Sequence, residues 1–239
     1  MWDNHRLLNR IASVLFALCA LALAYAATQV AIRLPVFNLR GIQVEGPVSH
    51  TTREQVEAVA KREVFGTFFT VDLEATRAVF EKLPWVRRAN VRRAWPDRLE
   101  VALEEHVPLA RWHDFALVNV QGEVFAAASP QPLPVFAGPE GSSAEVTRFY
   151  EESRQSLNAI GRKPVEVRLS SRRAWQIKLD DGQVLELGRE DMLARLTRFV
   201  AVYPQIAAQL PPSGARVDLR YPNGFAIRIP GLKWANRPA

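Results

Sequence analysis

Cysteine and histidine are scarce in this chain of 239 residues, which holds one Cys and four His. Cys19 has no second cysteine with which to form an intramolecular disulfide, and a thiolate metal site needs several. The sequence also lacks the Gly-x-Ser-x-Gly, His-Glu-x-x-His and phosphate-binding glycine motifs. We therefore predict a protein that is not an enzyme and that binds no cofactor and no metal.

His113 and Asp114 leave one enzymatic alternative, a hydrolase that would use them with an unassigned serine. Adjacent residues seldom orient one another for proton transfer. A catalytic Glu140, in the turn at residues 138–141, would lack an identifiable acid or base partner. The sequence favours a scaffold over a catalyst.

Formal charge is absent from residues 11–32, a run of 22 residues rich in leucine and alanine. A helix rises about 1.5 Å per residue, so this run can cross a hydrocarbon core of about 30 Å. The alternatives are a signal peptide cleaved after Ala24-Tyr25-Ala26 and a core helix of a soluble protein, which the length of the uncharged run disfavours. Because the apolar run continues to Ile32, we predict an uncleaved transmembrane helix at 11–32.

The orientation of this helix is not decided by charge, since Arg6 and Arg10 on one side are balanced by Arg33 and Arg40 on the other. The N-terminal segment, residues 1–10, is too short to be a domain. We expect it to be a cytoplasmic tail, with the following residues exported.

Residues 37–107 have the pattern of a βααββ unit. A short alternating strand at 39–44 precedes two helices, one opened by a predicted capping box at Thr51-Thr-Arg-Glu54 and one by Asp72 as N-cap. Strands at 86–95 and 99–103 follow, the second with clean alternation of apolar and polar residues. We predict two helices packed on one face of a three-stranded sheet.

Residues 108–230 are predicted to form a mostly antiparallel β-domain with two helices, and residues 231–239 a tail. One helix follows a second predicted capping box, Ser142-Ser-Ala-Glu145, and the other begins near Glu190. The last hairpin turns at Asn223-Gly224, where both residues accept positive φ. Its final strand, 225–229, is expected at a sheet edge that can accept a strand from another protein; an edge blunted by charge and proline is the alternative. The overall fold class is therefore α+β.

The formal net charge is +6, with arginine pairs such as Arg87-Arg88 and Arg172-Arg173. These pairs lie in strand-like sequence rather than on a recognition helix, which disfavours nucleic acid as a partner. Solvated strand faces, an acidic protein surface or anionic lipid fit better.

Several phrases spread over the chain resemble the FtsQ/DivIB family of bacterial cell-division proteins. They are Leu83-Pro84-Trp85-Val86, Arg93-Ala94-Trp95-Pro96-Asp97, Val107-Pro108-Leu109-Ala110-Arg111-Trp112, Gly138-Pro139-Glu140-Gly141, Ala174-Trp175-Gln176, Leu187-Gly188-Arg189, Arg198-Phe199-Val200 with Tyr203-Pro204, and Val217-Asp218-Leu219-Arg220-Tyr221. The resemblance extends from the apolar run to about Ile229.

This resemblance implies a POTRA domain at 37–107, a C-terminal β-domain, and a single-pass protein of the cell inner membrane with its N-terminus in the cytoplasm and its bulk in the periplasm. It implies a scaffold at the division septum that links early and late division proteins, binds the FtsB–FtsL pair and helps control septal peptidoglycan synthesis. It implies no nucleic-acid partner and no small-molecule substrate. A periplasmic chaperone or secretion adaptor that carries a POTRA domain is the alternative.

The resemblance also implies the partner-binding residues, because relatives bind FtsB by strand addition at the end of the β-domain. Carried onto this sequence, the set is Arg172, Arg173, Arg220, Tyr221, Asn223, Gly224, Phe225 and Ala226. The two arginines at 172 and 173 are expected to contact acidic partner residues. The residues after Gly224 are more aliphatic than expected of relatives.

Overall fold

The computed structural model describes residues 5–46, 48–207, 214–222 and 224–228. The chain divides into two compact units between Glu105 and His106. Each unit has its own sheet and its own buried apolar core. The α+β fold class predicted from the sequence is confirmed.

The first unit begins with a long apolar helix, α1, at His5–Ala31. Its segment Leu8–Ala31 is long and apolar enough to cross a membrane, and none of its most apolar window is buried against the rest of the protein. The hydroxyls of Ser13 and Thr28 donate to the carbonyls of Asn9 and Ala24, each at 2.8 Å. These polar side chains are therefore satisfied within the helix, as a lipid environment requires.

A three-stranded sheet with two helices forms the rest of the first unit. Its elements are β1 (Gly41–Glu45), α2 (Arg53–Glu63), α3 (Leu73–Phe80), β2 (Val86–Ala94) and β3 (Arg98–Glu105). The strand order is β1-β3-β2, with β1 parallel and β2 antiparallel to the central β3. The predicted βααββ order is confirmed, and Val56, Phe80 and Val101 lie in the core between the layers.

The second unit contains a nine-stranded sheet among its described residues, in the order β12-β11-β10-β9-β8-β7-β4-β5-β6. Antiparallel pairings outnumber the parallel ones, which are β10–β11, β7–β8 and β4–β7. The strands are β4 (Pro108–Trp112), β5 (Ala116–Asn119), β6 (Val124–Phe125), β7 (Val135–Ala137), β8 (Pro164–Leu169), β9 (Trp175–Leu179), β10 (Val184–Gly188), β11 (Arg216–Asp218) and β12 (Ala226–Arg228).

Two helices, α4 (Ser143–Asn158) and α5 (Met192–Ile206), contribute to the core of this second unit. Val146 and Leu157 of α4 and Leu196 of α5 are fully buried against the sheet. The capping box predicted at Ser142 is wrong: the Ser142 hydroxyl donates to the Pro139 carbonyl at 2.6 Å and caps no helix amide.

The helix starts in the first unit differ in how well they were predicted. Asp72 caps α3 as predicted, its Oδ1 accepting from the amides of Glu74 and Ala75 at 3.0 Å. The capping box of α2 is formed by Thr52 and Gln55, one residue later than predicted. The shift arises because the Thr51 amide is already bound elsewhere, by a carboxylate from β3.

That carboxylate belongs to Glu105, the last residue of β3. It accepts hydrogen bonds from three successive backbone amides, those of Ser49 (2.9 Å), His50 (3.1 Å) and Thr51 (2.7 Å). Burial raises the pKa of Glu105, but the amides that stabilise the anion outweigh it and lower the pKa from its usual 4.5 to about 2. The ionised side chain thus fixes the turn that leads into α2.

We expect Glu105→Gln to lower the free energy of unfolding of the first unit by about 2 kcal/mol at neutral pH, because an amide accepts these bonds more weakly than an anion. Since the folded pKa lies below the unfolded one, the contribution is complete above a pH of about 5 and is lost as the pH falls toward about 2.

Native-state hydrogen exchange of the α2 amides as a function of pH measures this contribution. Glu63→Gln is the matched control, because Glu63 pairs with Lys82 at 3.7 Å on the surface. Equal effects of the two substitutions, or a flat pH dependence in the unchanged protein, would contradict this role of Glu105.

Candidate partner-binding edge

The strand β12 is the outermost strand of the nine-stranded sheet among the described residues. It pairs on one side with β11, antiparallel, with Asp218 opposite Ala226 and Val217 opposite Ile227. Phe225 and Ile227 are half-buried against the core, while Ala226 and Arg228 are exposed. The predicted alternation of these side chains is thus observed, apart from Ile229, which lies outside the described residues.

The direction of the β11 backbone follows from its bonds to β10. The Val184 amide donates to the Ala215 carbonyl at 2.8 Å, and the Leu219 amide donates to the Glu186 carbonyl at 2.9 Å. Because backbone groups along a strand point alternately to its two neighbours, residues 215, 217 and 219 face β10. Residues 216 and 218 therefore face β12.

This alternation determines which groups of β12 are open. Arg228 and Ala226 lie opposite Arg216 and Asp218, so these are the hydrogen-bonded pairs of the hairpin. The N–H and C=O of Ile227 then point away from β11, to the side where no further strand is described. An added strand would bond to Ile227 and, by the same parity, to Phe225.

A groove of about 260 Å³ lies between the hairpin and helix α5. Its apolar wall includes Phe225 and Phe199, whose ring centroids lie 6.3 Å apart in an edge-on arrangement. The lining residues are Arg195, Arg198, Phe199, Val202, Leu219, Pro222, Gly224 and Phe225. An added strand would carry alternate side chains toward this groove.

Arg198 of α5 holds the turn between the two strands. Its guanidinium donates to the carbonyl of Pro222 and, at 3.4 Å, to that of Tyr221. Of these three residues, only Tyr221 belongs to the predicted partner-binding set, and Arg198 appears in the sequence analysis only within the family resemblance. The available signal was the helical spacing of Arg195, Arg198 and Val202, which places the three on one side of α5.

Arg220 is held at the end of β11 by a bidentate ion pair with Asp218, at 2.8 and 2.6 Å. The hydrogen bond from Arg220 lowers the pKa of Asp218, and the same bond raises the pKa of Arg220. The Arg220 side chain also lies over Gly188, where a Cβ would come within 3.1 Å of Arg220 Cγ. The charge of Arg220 is therefore already paired with the last residue of β11.

The remaining predicted residues of the hairpin are solvent-accessible. Tyr221 is 54% exposed, and Gly224 and Ala226 are exposed. Space is open around Gly224, since nothing lies within 4 Å of a Cβ built there. Asn223 lies outside the described residues.

Arg172 and Arg173 occupy the turn between β8 and β9. Arg173 has a positive φ of 65° and pairs with Glu145 of α4, whereas Arg172 is exposed and makes no ion pair with any described residue. The registers of β9, β10 and β11 place this turn at the end of the sheet where Arg220 lies. Three strand spacings of about 4.8 Å separate β9 from β12, so the turn that carries Arg172 lies about 14 Å from β12 across the sheet.

The groups at this edge are of the kinds that bind another polypeptide chain. No group of three or more His, Cys, Asp or Glu side chains that could hold a metal ion is found among the described residues. His113, considered above as a general base, has a positive φ of 52°, and its Nε2 lies 3.2 Å from the Gly138 carbonyl oxygen. Among the described residues, the edge presents backbone groups of β12 without a neighbouring strand, an apolar groove and exposed cations.

Comparison with known proteins gives consistent matches over both units. The family model for the C-terminal part of the cell division protein FtsQ/DivIB matches residues 110–220, and that for the FtsQ-type POTRA domain matches residues 37–106. The cell division protein FtsQ of Nitrosospira multiformis is 47% identical over 95% of this chain and 99% of its own length. FtsQ of Burkholderia pseudomallei is 44% identical over 98% and 96%, and FtsQ of Escherichia coli 35% identical over 92% and 84%.

We expect Arg198→Ala to loosen the turn at Tyr221 and Pro222, because two carbonyls lose a charged donor. The cost of about 1 kcal/mol corresponds to hydrogen exchange about fivefold faster at the amides of 217–227. Arg148→Ala on α4, an exposed arginine away from the hairpin, is the control. Unchanged exchange in Arg198→Ala would show that the turn does not depend on this contact.

Proposed function

The chain belongs to the FtsQ/DivIB family of cell division proteins, and on that premise we propose that it is a non-catalytic scaffold of the septal division complex. Its membrane-anchoring helix α1 would leave the N-terminus in the cytoplasm and both folded units in the periplasm. In this role the protein links early and late division proteins and helps control septal peptidoglycan synthesis.

The partners we propose are FtsB and FtsL, with FtsB adding a strand to β12. The observation that carries this proposal is the open backbone of Ile227, whose N–H and C=O have no strand beside them among the described residues. Backbone pairing supplies affinity in strand addition, and side-chain pockets supply specificity. The groove beside Phe225 is a pocket of this kind.

Charge supports an acidic partner strand. Arg172 and Arg228 are exposed and make no ion pair with described residues, so a carboxylate on the partner would find them available. Arg173 and Arg220 already pair with Glu145 and Asp218, so a partner carboxylate would compete with these residues for the two guanidinium groups. Among the predicted arginines, Arg172 is therefore the one we expect to matter most for electrostatic recognition.

We expect Ile227→Pro to reduce capture of the FtsB–FtsL pair by at least tenfold, because proline removes the N–H that points to the partner strand. Its ring leaves the bonds of Ala226 and Arg228 to β11 in place. Ile227→Ala is the matched control: it loses the same inward-facing side chain but keeps the N–H. The two variants are compared as full chains in nanodiscs immobilised on a sensor surface, and the amount of FtsB–FtsL bound to each is measured.

Equal capture by Ile227→Pro and Ile227→Ala, with both hairpins folded, would show that strand addition at β12 is wrong. Binding of unfolded outer-membrane proteins in place of FtsB and FtsL would instead favour the chaperone alternative. A fluorescent fusion of the full chain that fails to concentrate at midcell would contradict the proposed place at the septum.

We expect Arg172→Glu to slow association with FtsB–FtsL about tenfold at low ionic strength and to have little effect at high ionic strength, because an exposed charge acts mainly through long-range attraction. Lys163→Glu makes the same change in charge at the opposite end of β8 and is the control. Identical association rates for both variants would show that net charge, rather than the position of Arg172, governs the encounter.

A further inference from the structure

Four large apolar side chains are exposed at the end of the first unit that adjoins α1. Trp95 is 83% exposed, Phe65 75%, Val36 63% and Phe69 48%. We call these four residues the juxtamembrane patch. Exposed aromatic residues gathered at one end of a compact unit indicate a surface that contacts something apolar.

Direct bonds join this patch to the end of α1. The Thr67 hydroxyl donates to the carbonyl of Ile32, the residue after the last of α1, at 2.8 Å. The Phe68 amide donates to the Phe37 carbonyl at 2.8 Å, and the rings of Phe37 and Phe69 meet edge-on at 5.0 Å. The turn that carries Phe65 and Phe69 is therefore fixed beside the point where the apolar helix ends.

The turn between β2 and β3, which carries Trp95, lies at the same end of the sheet. The Arg40 amide donates to the Asp97 carbonyl at 2.9 Å, and Gly41 at the start of β1 pairs with Arg98 at the start of β3. Strand β1 begins only ten residues after α1 ends. Trp95 therefore lies at the same end of the first unit as the turn that carries Phe65 and Phe69.

The exposure of these rings results from a backbone that is fixed by hydrogen bonds, not from loose packing. Arg93 of β2 donates to the carbonyls of Phe68 and Val71, at 2.7 and 2.9 Å. The Val71 amide donates to the Thr67 carbonyl at 2.9 Å, which closes the turn. With its backbone held by these bonds, the turn buries Phe68 and leaves Phe65 and Phe69 outside.

The length of α1 sets the level at which these residues lie. Its apolar segment of 24 residues is about 36 Å long, which exceeds a hydrocarbon core of about 30 Å. Its last turn therefore lies in the interfacial layer when the helix spans a bilayer. Residues bonded to Ile32 lie in that layer too, and tryptophan and other aromatic rings are the side chains that favour it.

We propose that the juxtamembrane patch sits in the bilayer interface at the C-terminal end of α1, with its rings at the boundary between headgroups and acyl chains. Arg33 and Arg98, both exposed, flank the patch and would pair with lipid phosphates. The patch would fix the tilt of the first unit on the membrane. This inference rests on α1 as a membrane span and is independent of FtsB binding.

The test places an environment-sensitive NBD probe on single cysteines in the full chain, with Cys19→Ala as background, reconstituted in phospholipid nanodiscs. One probe replaces Phe65 and the control probe replaces Ser49, an exposed residue beyond the far end of β1. The strand separates the two sites by about 15 Å. Both sites are exposed, so neither substitution removes core packing.

We expect lipids with a doxyl group near the headgroup to quench the Phe65 probe at least threefold more than the Ser49 probe, and aqueous iodide to show the reverse order. Adding Phe69→Ser and Trp95→Ser should reduce the lipid quenching at Phe65, with circular dichroism confirming the fold.

Equal iodide quenching at both sites would show that the patch is in water and would overturn the proposal. Protection of the Phe65 probe from both quenchers would also overturn it, because the patch would then be covered by protein, such as a second copy of the chain.

Discussion

The parallel pairing of β11 with β10 is the constraint on which the candidate site depends. Two bonds, from Val184 to Ala215 and from Leu219 to Glu186, decide which backbone groups of β11 face inward. The pairing of β12 and the outward direction of the Ile227 N–H and C=O then follow by alternation. A register shift of one residue would place the core-facing side chains of β12 in water and turn the backbone groups of Ile227 toward β11.

How much of this was predictable depends on how local the interaction is. The last hairpin and the three-stranded sheet follow from the alternation of apolar and polar residues and from turn residues. The Asp72 cap follows from a side chain that accepts from amides two and three residues further along the chain. The two predicted capping boxes failed for different reasons. At Thr51 a carboxylate distant in sequence takes the amide, whereas the Ser142 hydroxyl donates to the nearby Pro139 carbonyl instead of accepting from the helix. Glu105 binds amides more than fifty residues away, and no local pattern carries that information.

The same distinction explains why Arg198 was not assigned to the site from pattern. Its contacts lie on a turn more than twenty residues further along the chain, with the end of α5 and an intervening strand between them. Sequence pattern could place Arg198 on the polar flank of an amphipathic helix but not name the carbonyls it binds. Likewise, pattern could not show that β10 and β11 run parallel, because a hairpin-rich domain favours antiparallel neighbours.

The aliphatic residues that follow Gly224 acquire a physical explanation from the structure. The side chain of Ile227 packs against the core, while its N–H and C=O lie in the plane of the sheet and point away from β11. Hydrophobic identity at this position is then a requirement of the fold. The same holds for Phe225, whose ring packs on α5. A charged substitution at Phe225 or Ile227 would destabilise the hairpin, so a loss of binding in such a variant would not identify a partner contact. The contribution of the backbone at such an edge is isolated by two substitutions that remove the same side-chain packing and differ only in the backbone N–H.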